Sequence, residues 1–159
     1  MTACPDPIFM VTVERIASLP LAPLGALVAE SERSGLRFVG RLTAEWASGI
    51  NRFDQPGEAL FAARVEGQVV GVCGLNVDPY STEGRVGRVR HLYVMEAYRR
   101  HAIGRRLVAE VIAAGRGSFD RLRLRTANPE AARFYEALGF APRAGEADCT
   151  HALDLRVTL

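Results

Sequence analysis

Leu92-Tyr93-Val94-Met95-Glu96-Ala97-Tyr98-Arg99-Arg100-His101-Ala102-Ile103-Gly104-Arg105-Arg106-Leu107 changes its hydrophobic period in mid-course. Arg88 to Val94, leading into it, reads as a strand. Beyond Met95, the apolar residues Ile103, Leu107, Val108, Val111 and Ile112 fall on one stripe of a helix that begins near Ala102 and stops near Gly115 and Gly117. An arginine-rich loop joins the two. A helix start leaves N–H groups unpaired and carries positive partial charge, so such a unit suits a phosphate. Arg99, Arg100 and Arg105 would add charge around a diphosphate, and Gly104 would let it approach the backbone. Taken alone, the same unit is also what an ordinary crossover with solvated arginines looks like.

Reading outward toward the C-terminus, Arg121 to Thr126 alternates Leu122 and Leu124 with arginine, as a strand with one solvated or ligand-facing side does. Asn128-Pro129 caps and starts a helix whose stripe is Ala131, Phe134, Tyr135 and Leu138, and Gly139 ends it. Phe140 to Leu159 reads as two more strands. Toward the N-terminus, Ile8 to Val13 is a β-type run, and Leu21 to Arg33 is helical through Leu21, Leu24, Leu27 and Val28. A second helix carries Phe38, Val39, Leu42, Trp46 and Ile50, and Asn51 to Gly57 is a loop. Strands Ala59–Glu66 and Val69–Val77 join across Gly67-Gln68, and Asp78 to Gly84 is turn-rich. This order predicts an α/β (α+β) chain forming a single domain over residues 1–159. Its mixed central sheet should have about six to seven strands flanked by helices, with Arg88–Thr126 as a parallel pair closed by a right-handed crossover.

Composition narrows the chemistry. All 20 basic residues of the 159 are arginine, so Schiff-base chemistry and lysine-dependent phosphate loops are excluded. Cys4, Cys73 and Cys149 are too widely spaced for metal-ligand pairs, and His91, His101 and His151 are scattered, so no metal is expected. The apolar runs are too short to span a membrane, and no basic-then-apolar leader opens the chain. A soluble, cytoplasmic protein is therefore expected, with no membrane partner. Between Arg85 and Arg125 eleven arginines face three acids, a local excess of eight positive charges within a chain of net charge +2. Such a stripe could serve phosphates, acidic substrates or nucleic acid, or be only a solvated face. Only Tyr93 and Tyr98 interleave with it as stacking residues, so nucleic acid ranks last.

The run Tyr98 to Arg105 resembles the acyl-CoA pyrophosphate loop of the GNAT superfamily of N-acetyltransferases. That loop reads Arg or Gln, two variable residues, Gly, one variable residue, then Gly or Ala. Arg99 fills the first place and Gly104 the last, while Ala102 stands where the first Gly is usual. Because Ala is compatible with right-handed helical angles, the loop should persist with somewhat less room. A second family pattern follows in order: Asn128, Ala131, Phe134-Tyr135 and Leu138-Gly139-Phe140. The resemblance covers roughly residues 59–157 and implies a GNAT-like acyl-CoA N-acyltransferase fold, with acetyl-CoA as co-substrate. It implies that the strand at Arg88–Val94 bulges and splays from Arg121–Thr126, with pantetheine in the gap pairing near Leu92, Tyr93 and Val94. It further implies that the diphosphate rests on the N–H groups of Arg99, Arg100, His101, Ala102, Ile103, Gly104 and Arg105, with Asn128 and Ala131 beside the cofactor. Tyr135 resembles the general acid that protonates the departing thiolate. A thioester is already activated, so positioning an amine supplies much of the rate, and no covalent intermediate is needed. Cys73 is accordingly read as core.

The base is where the sequence departs from the family. Relatives often carry Glu or His where Arg88 and Arg90 stand, and Arg cannot accept a proton at neutral pH. A water chain, Asp78, Glu83 or His91 could serve, although strand alternation turns His91 away from Arg88 and Arg90 unless a bulge intervenes. Trp46, Phe53 and Tyr80 lie in segments that by resemblance border the acceptor pocket. Arg88 and Arg90 suggest an acceptor with an anionic group beside its amine. The acceptor is expected to be a small-molecule amine or a protein N-terminus. The alternative to an enzyme is a non-catalytic GNAT-fold acyl-CoA sensor or partner module. Assembly is left open, a homodimer among the options.

Overall fold

The hairpin at the centre of the chain shows how an apolar run becomes a two-faced sheet. In a computed structural model that describes residues 10–17 and 21–156, Ala59–Val65 (β2) and Gln68–Val77 (β3) pair antiparallel. Ala59, Phe61, Ala63 and Val65 enter one core and Leu60 and Ala62 the other, the period of two that a strand imposes. Both faces are covered, so both strands read as nearly continuous apolar runs. The turn falls at Glu66 and Gly67, with φ of 50° and 79°, rather than at Gly67-Gln68. Two consecutive positive φ values match the right-handed twist of the flanking strands, and that decides the position.

Around this hairpin the described residues form one seven-stranded mixed sheet. Val11–Arg15 (β1) pairs with β2; Val86–Val94 (β4) pairs with β3; Arg121–Leu124 (β5) runs parallel to β4. The far edge holds Ala141–Pro142 (β6) and His151–Asp154 (β7), so the order is β1-β2-β3-β4-β5-β7-β6. Ile8 and Phe9 of the first expected strand, and Cys4, lie outside the described residues.

Helices Leu21–Arg33 (α1) and Phe38–Ser48 (α2) cover one face through Leu24, Leu27, Val39 and Leu42. Ile103–Gly115 (α3) covers the other with Ile103, Leu107, Val108 and Val111, joined by Tyr135 of Pro129–Ala137 (α4) and by Phe140. Each such side chain contributes about 1.5–3 kcal/mol on burial, so the sheet is clamped from both sides. Gly74 is required by one close approach: a Cβ there would lie 2.5 Å from the Phe53 ring. No helix among the described residues is long and apolar enough to cross a membrane.

Candidate active site

The parallel junction is short. β4 and β5 pair only over Val86–Arg88 and Arg121–Arg123. Beyond that, β4 runs on to Val94 while β5 ends at Leu124, and from Val89 onward one edge of β4 has no strand partner among the described residues. A cavity of about 1080 Å³ opens in this gap and extends to the start of α3. Its wall includes Leu92, Tyr93 and Val94 of β4, Leu124 of β5, and Ala131, Phe134 and Tyr135 of α4.

At one end lies the loop that precedes α3. A 3-10 turn, Glu96–Tyr98, leads into Arg100 and Ala102, whose φ values are 68° and 61°. Ala102 is thus left-handed, not right-handed as the sequence suggested. The position needs a reversal that Gly makes freely and Ala makes only at a cost of about 1 kcal/mol. Left-handed residues in such a turn curl successive N–H groups toward one concavity, a geometry that binds anions. The first intrahelical bond runs from Arg106 N–H to the Ala102 carbonyl at 3.0 Å. The N–H groups of Ile103, Gly104 and Arg105 precede it and have no helical partner. A Cβ on Gly104 would sit 3.5 Å from Phe134, ordinary contact, so the protein itself does not require glycine there. Arg99 donates from Nε to the Val94 carbonyl at 2.9 Å and covers the Tyr93 ring at 5.4 Å, bracing the loop against the strand. Tyr93 in turn donates its hydroxyl proton to Glu30 at 2.6 Å, and the same carboxylate accepts from the Glu96 N–H at 3.1 Å. Arg99, Arg100, Ala102, Ile103, Gly104 and Arg105 all line the cavity; His101 does not.

Asn128 and Tyr135 bound the cavity from the other wall. The Asn128 side chain accepts from Glu130 N–H at 2.9 Å, the cap that starts α4 just before Pro129. Tyr135 is 7% exposed, edge-on to Phe134 and Phe140 at 5.2 and 5.6 Å between ring centres. Its hydroxyl has no hydrogen-bond partner among the described residues. Burial raises its pKa strongly, and the Cys73 thiol raises it further, so the phenol keeps its proton at neutral pH. Cys73 is buried, and its thiol is pushed up to about 12, so it is not a nucleophile.

At the other end the structure separates Arg88 from Arg90. Arg88 is buried, donates to the Asp148 carbonyl at 2.8 Å, pairs with Asp78 at 3.7 Å and stacks on Tyr80 at 4.7 Å. Burial lowers its pKa, opposed by the charge of Asp78. Asp78, with no side-chain exposure, also meets Arg123 at 3.4 Å. Arg88 therefore belongs to a structural ion cluster although it borders the cavity. Arg90 is half-buried and lines the cavity, and its guanidinium has no hydrogen bond or ion pair among the described residues.

Between Arg90 and Leu92 the strand bulges. Val72 faces Tyr93 but Gly74 faces Arg90, so two residues of β4 oppose Cys73 alone. His91 takes φ of 60° and packs against Phe38 and Phe53 at 6.4 and 6.1 Å between ring centres, on the face covered by α1 and α2. The bulge thus overrides the alternation that would have turned His91 to the opposite face. The imidazole is 8% exposed and lines the cavity. Neither ring nitrogen has a hydrogen-bond partner among the described residues. Burial, then the charges of Arg90 and Arg41, lower its pKa to about 4, while the Phe38 backbone opposes the shift.

The other residues that the sequence brought to the acceptor side lie elsewhere. Trp46 and Phe53 stack on each other at 6.4 Å, Tyr80 covers Arg88, and Glu83 pairs with Arg121 at 3.6 Å; none of them, nor Asp78, lines the cavity. Sequence reading missed Arg41, Phe38 and Ser34, which reach the wall from α2 and from the turn after α1. Phe38 was legible only as part of a helix stripe and Ser34 and Arg41 as polar positions near it, because no local pattern says which strand that helix packs on. Among the described residues no group of His, Cys, Asp or Glu could hold a metal ion.

Residues 28–140 match the family model described as acetyltransferase (GNAT) family. Among solved structures the chain is similar to a candidate acetyltransferase from Exiguobacterium sp. 255-15, with TM-score 0.78 and 32% identity over 91% of this chain and 93% of that one. It shares the fold of a GNAT-family acetyltransferase from Staphylococcus aureus Mu50, at TM-score 0.68 and 17% identity over 91% and 99% of the two chains. It also shares the fold of the ribosomal-protein-S18-alanine N-acetyltransferase from Escherichia coli, at TM-score 0.64 and 18% identity over 92% and 94%. No curated protein matches the sequence.

Proposed function

The chain belongs to the acetyltransferase (GNAT) family, and from that premise we propose that it transfers acetyl from acetyl-CoA to an amine by direct attack on the thioester. One observation carries the reading: a continuous cavity joins the free N–H groups at the start of α3, the unpaired edge of β4 and the Tyr135 wall. The diphosphate would rest on Arg99–Arg105, where N–H groups and arginines offer positive charge without a metal. Pantetheine would pair with the free edge of β4 near Leu92, Tyr93 and Val94, beside Asn128 and Ala131. That edge has backbone groups to offer because β5 stops short.

The amine, held against the thioester carbon, attacks as its neutral form. The carbonyl oxygen gains charge in the tetrahedral intermediate, and a backbone N–H near Val94 would stabilise it. Collapse expels the CoA thiolate, and Tyr135, protonated at neutral pH and unpaired, gives it a proton. For the proton leaving the amine, Asp78 and Glu83 are off the cavity wall. His91 or water remains.

Calorimetric titration with acetyl-CoA, followed by a thiol-release assay with small amines and peptide N-termini, tests the reading. Binding with amine-dependent thiol release is the expected result. Binding without release from any amine would favour the non-catalytic acyl-CoA sensor, and failure to bind acetyl-CoA would refute both.

A further inference from the structure

We propose that the acceptor is an amine bearing an anionic group, carboxylate or phosphate, which Arg41 of α2 and Arg90 of β4 grip beside His91. This deepens the acetyltransferase reading and rests on it.

Position along β4 assigns these arginines to the acceptor rather than to CoA. Arg90 precedes Val94 by four residues, about 13 Å of strand, and Val94 is where the diphosphate loop is braced. The bulge at His91 lies between the two, so Arg90 stands on the far side of the pantetheine-binding edge. Arg41 comes from the layer of α1 and α2, which packs on the sheet face opposite α3 and α4. Both arginines line the cavity, and neither has a hydrogen bond or ion pair from its guanidinium among the described residues. Arginines that serve structure here are visibly engaged: Arg88 and Arg123 share Asp78, and Arg121 holds Glu146 at 2.8 Å. Both act on His91 through their charge, and two unengaged guanidiniums on the wall of one cavity would repel a polyamine. They would grip a carboxylate or phosphate through paired N–H donors.

His91 gives an independent indication. A buried imidazole without partners is costly unless something completes it. The neutral ring has one donor and one acceptor nitrogen. Both nitrogens are unpartnered among the described residues, so a donor and a lone pair are both open to an occupant of the cavity. An acceptor amine supplies the missing N–H. Burial is the main cause of His91's low basicity, and the charges of Arg90 and Arg41 add to it; an anion on the occupant offsets that added part, so it would make the imidazole a better proton acceptor. A neutral or cationic amine would not do this.

The test is thiol release from acetyl-CoA with four probe sets: free amino acids, the matching amino acid amides, phosphoethanolamine, and spermidine. The carboxylated or phosphorylated amines should exceed the amides and spermidine by roughly tenfold or more in kcat/KM, and the first and third sets tell which anion is preferred. Arg41→Gln and Arg90→Gln should each raise KM for the preferred anionic acceptor about tenfold, with the Kd for CoA unchanged. Arg41 is exposed, so its variant is expected to fold even if the Arg90 variant does not. Amides or spermidine accepted as well as the acids would overturn the proposal. So would acetyl-CoA binding with no anionic amine turned over, or arginine variants whose KM does not move. Loss of acetyl-CoA binding in the parent protein would instead refute the acetyltransferase reading beneath it.

Discussion

Tyr135 and His91 are two buried polar side chains on one cavity, and burial acts on them in opposite senses. It keeps the phenol protonated and keeps the imidazole neutral. Tyr135→Phe removes one hydroxyl that the protein does not bond, so the melting temperature should barely change. The turnover number should fall by roughly 10²-fold if protonation of sulfur limits the rate; an unchanged kcat in the folded variant would mean the thiolate leaves without it. For His91 the folded pKa, about 4, lies below the unfolded value of 6.5. Between those values the unfolded chain binds more protons. Its contribution to stability is therefore whole above pH 6.5 and is lost as pH falls toward 4, by up to about 3 kcal/mol. Denaturant titrations across that range should show this slope in the parent protein and lack it in His91→Gln. Neither environment could be read from residue types: Tyr135 was legible as a helix-stripe residue within a family pattern, and the face of His91 depended on a bulge that the resemblance implied for this strand but did not place at a residue.

The loop and first turn of α3 form the element whose place was most legible, because a helix start needs only local order to expose its N–H groups. Arg99, Gly104 and the apolar stripe from Ile103 were enough to place it. What the sequence could not give was Ala102 in the left-handed region, since Ala rarely adopts it and the surrounding chain forces it there. Gly104→Val tests the element. Its Cβ meets Phe134 only at contact distance, and Val is the better helix former, so the fold should survive. The branched side chain would crowd the diphosphate, and the Kd for CoA should rise at least tenfold by calorimetry. Unchanged affinity in the folded variant would remove the diphosphate from this turn.

Across the whole molecule, the cluster of Asp78, Arg88 and Arg123 ties the turn after β3 to the one stretch where β4 and β5 pair. Asp148 and Ala147, in the loop before β7, accept from the same two arginines through their carbonyls. Removing the carboxylate leaves two buried guanidiniums facing each other. Asp78→Asn should therefore cost about 3 kcal/mol or more in unfolding free energy, read as a drop in the denaturant midpoint. A shift within error would mean that solvent, not Asp78, compensates the arginines.

The order of strands and helices, the existence of the hairpin and the loop that starts α3 were determined by the sequence alone. Each is specified within a few residues by hydrophobic period, a cap or a turn, as at Leu21–Arg33, Asn128-Pro129 and Ile103–Gly115. Tertiary structure alone decided which arginines are free. Arg88 and Arg90 are two residues apart on one strand, alike in type and in expected direction. One is consumed by an acid brought from Asp78 and a carbonyl brought from Asp148, sixty residues away, and the other is left facing a cavity. Arg41 joins it from α2, a helix that precedes β4 in the chain and packs on it. Ion pairing and desolvation depend on distances of a few ångströms between segments remote in sequence, and those distances exist only once the sheet has closed.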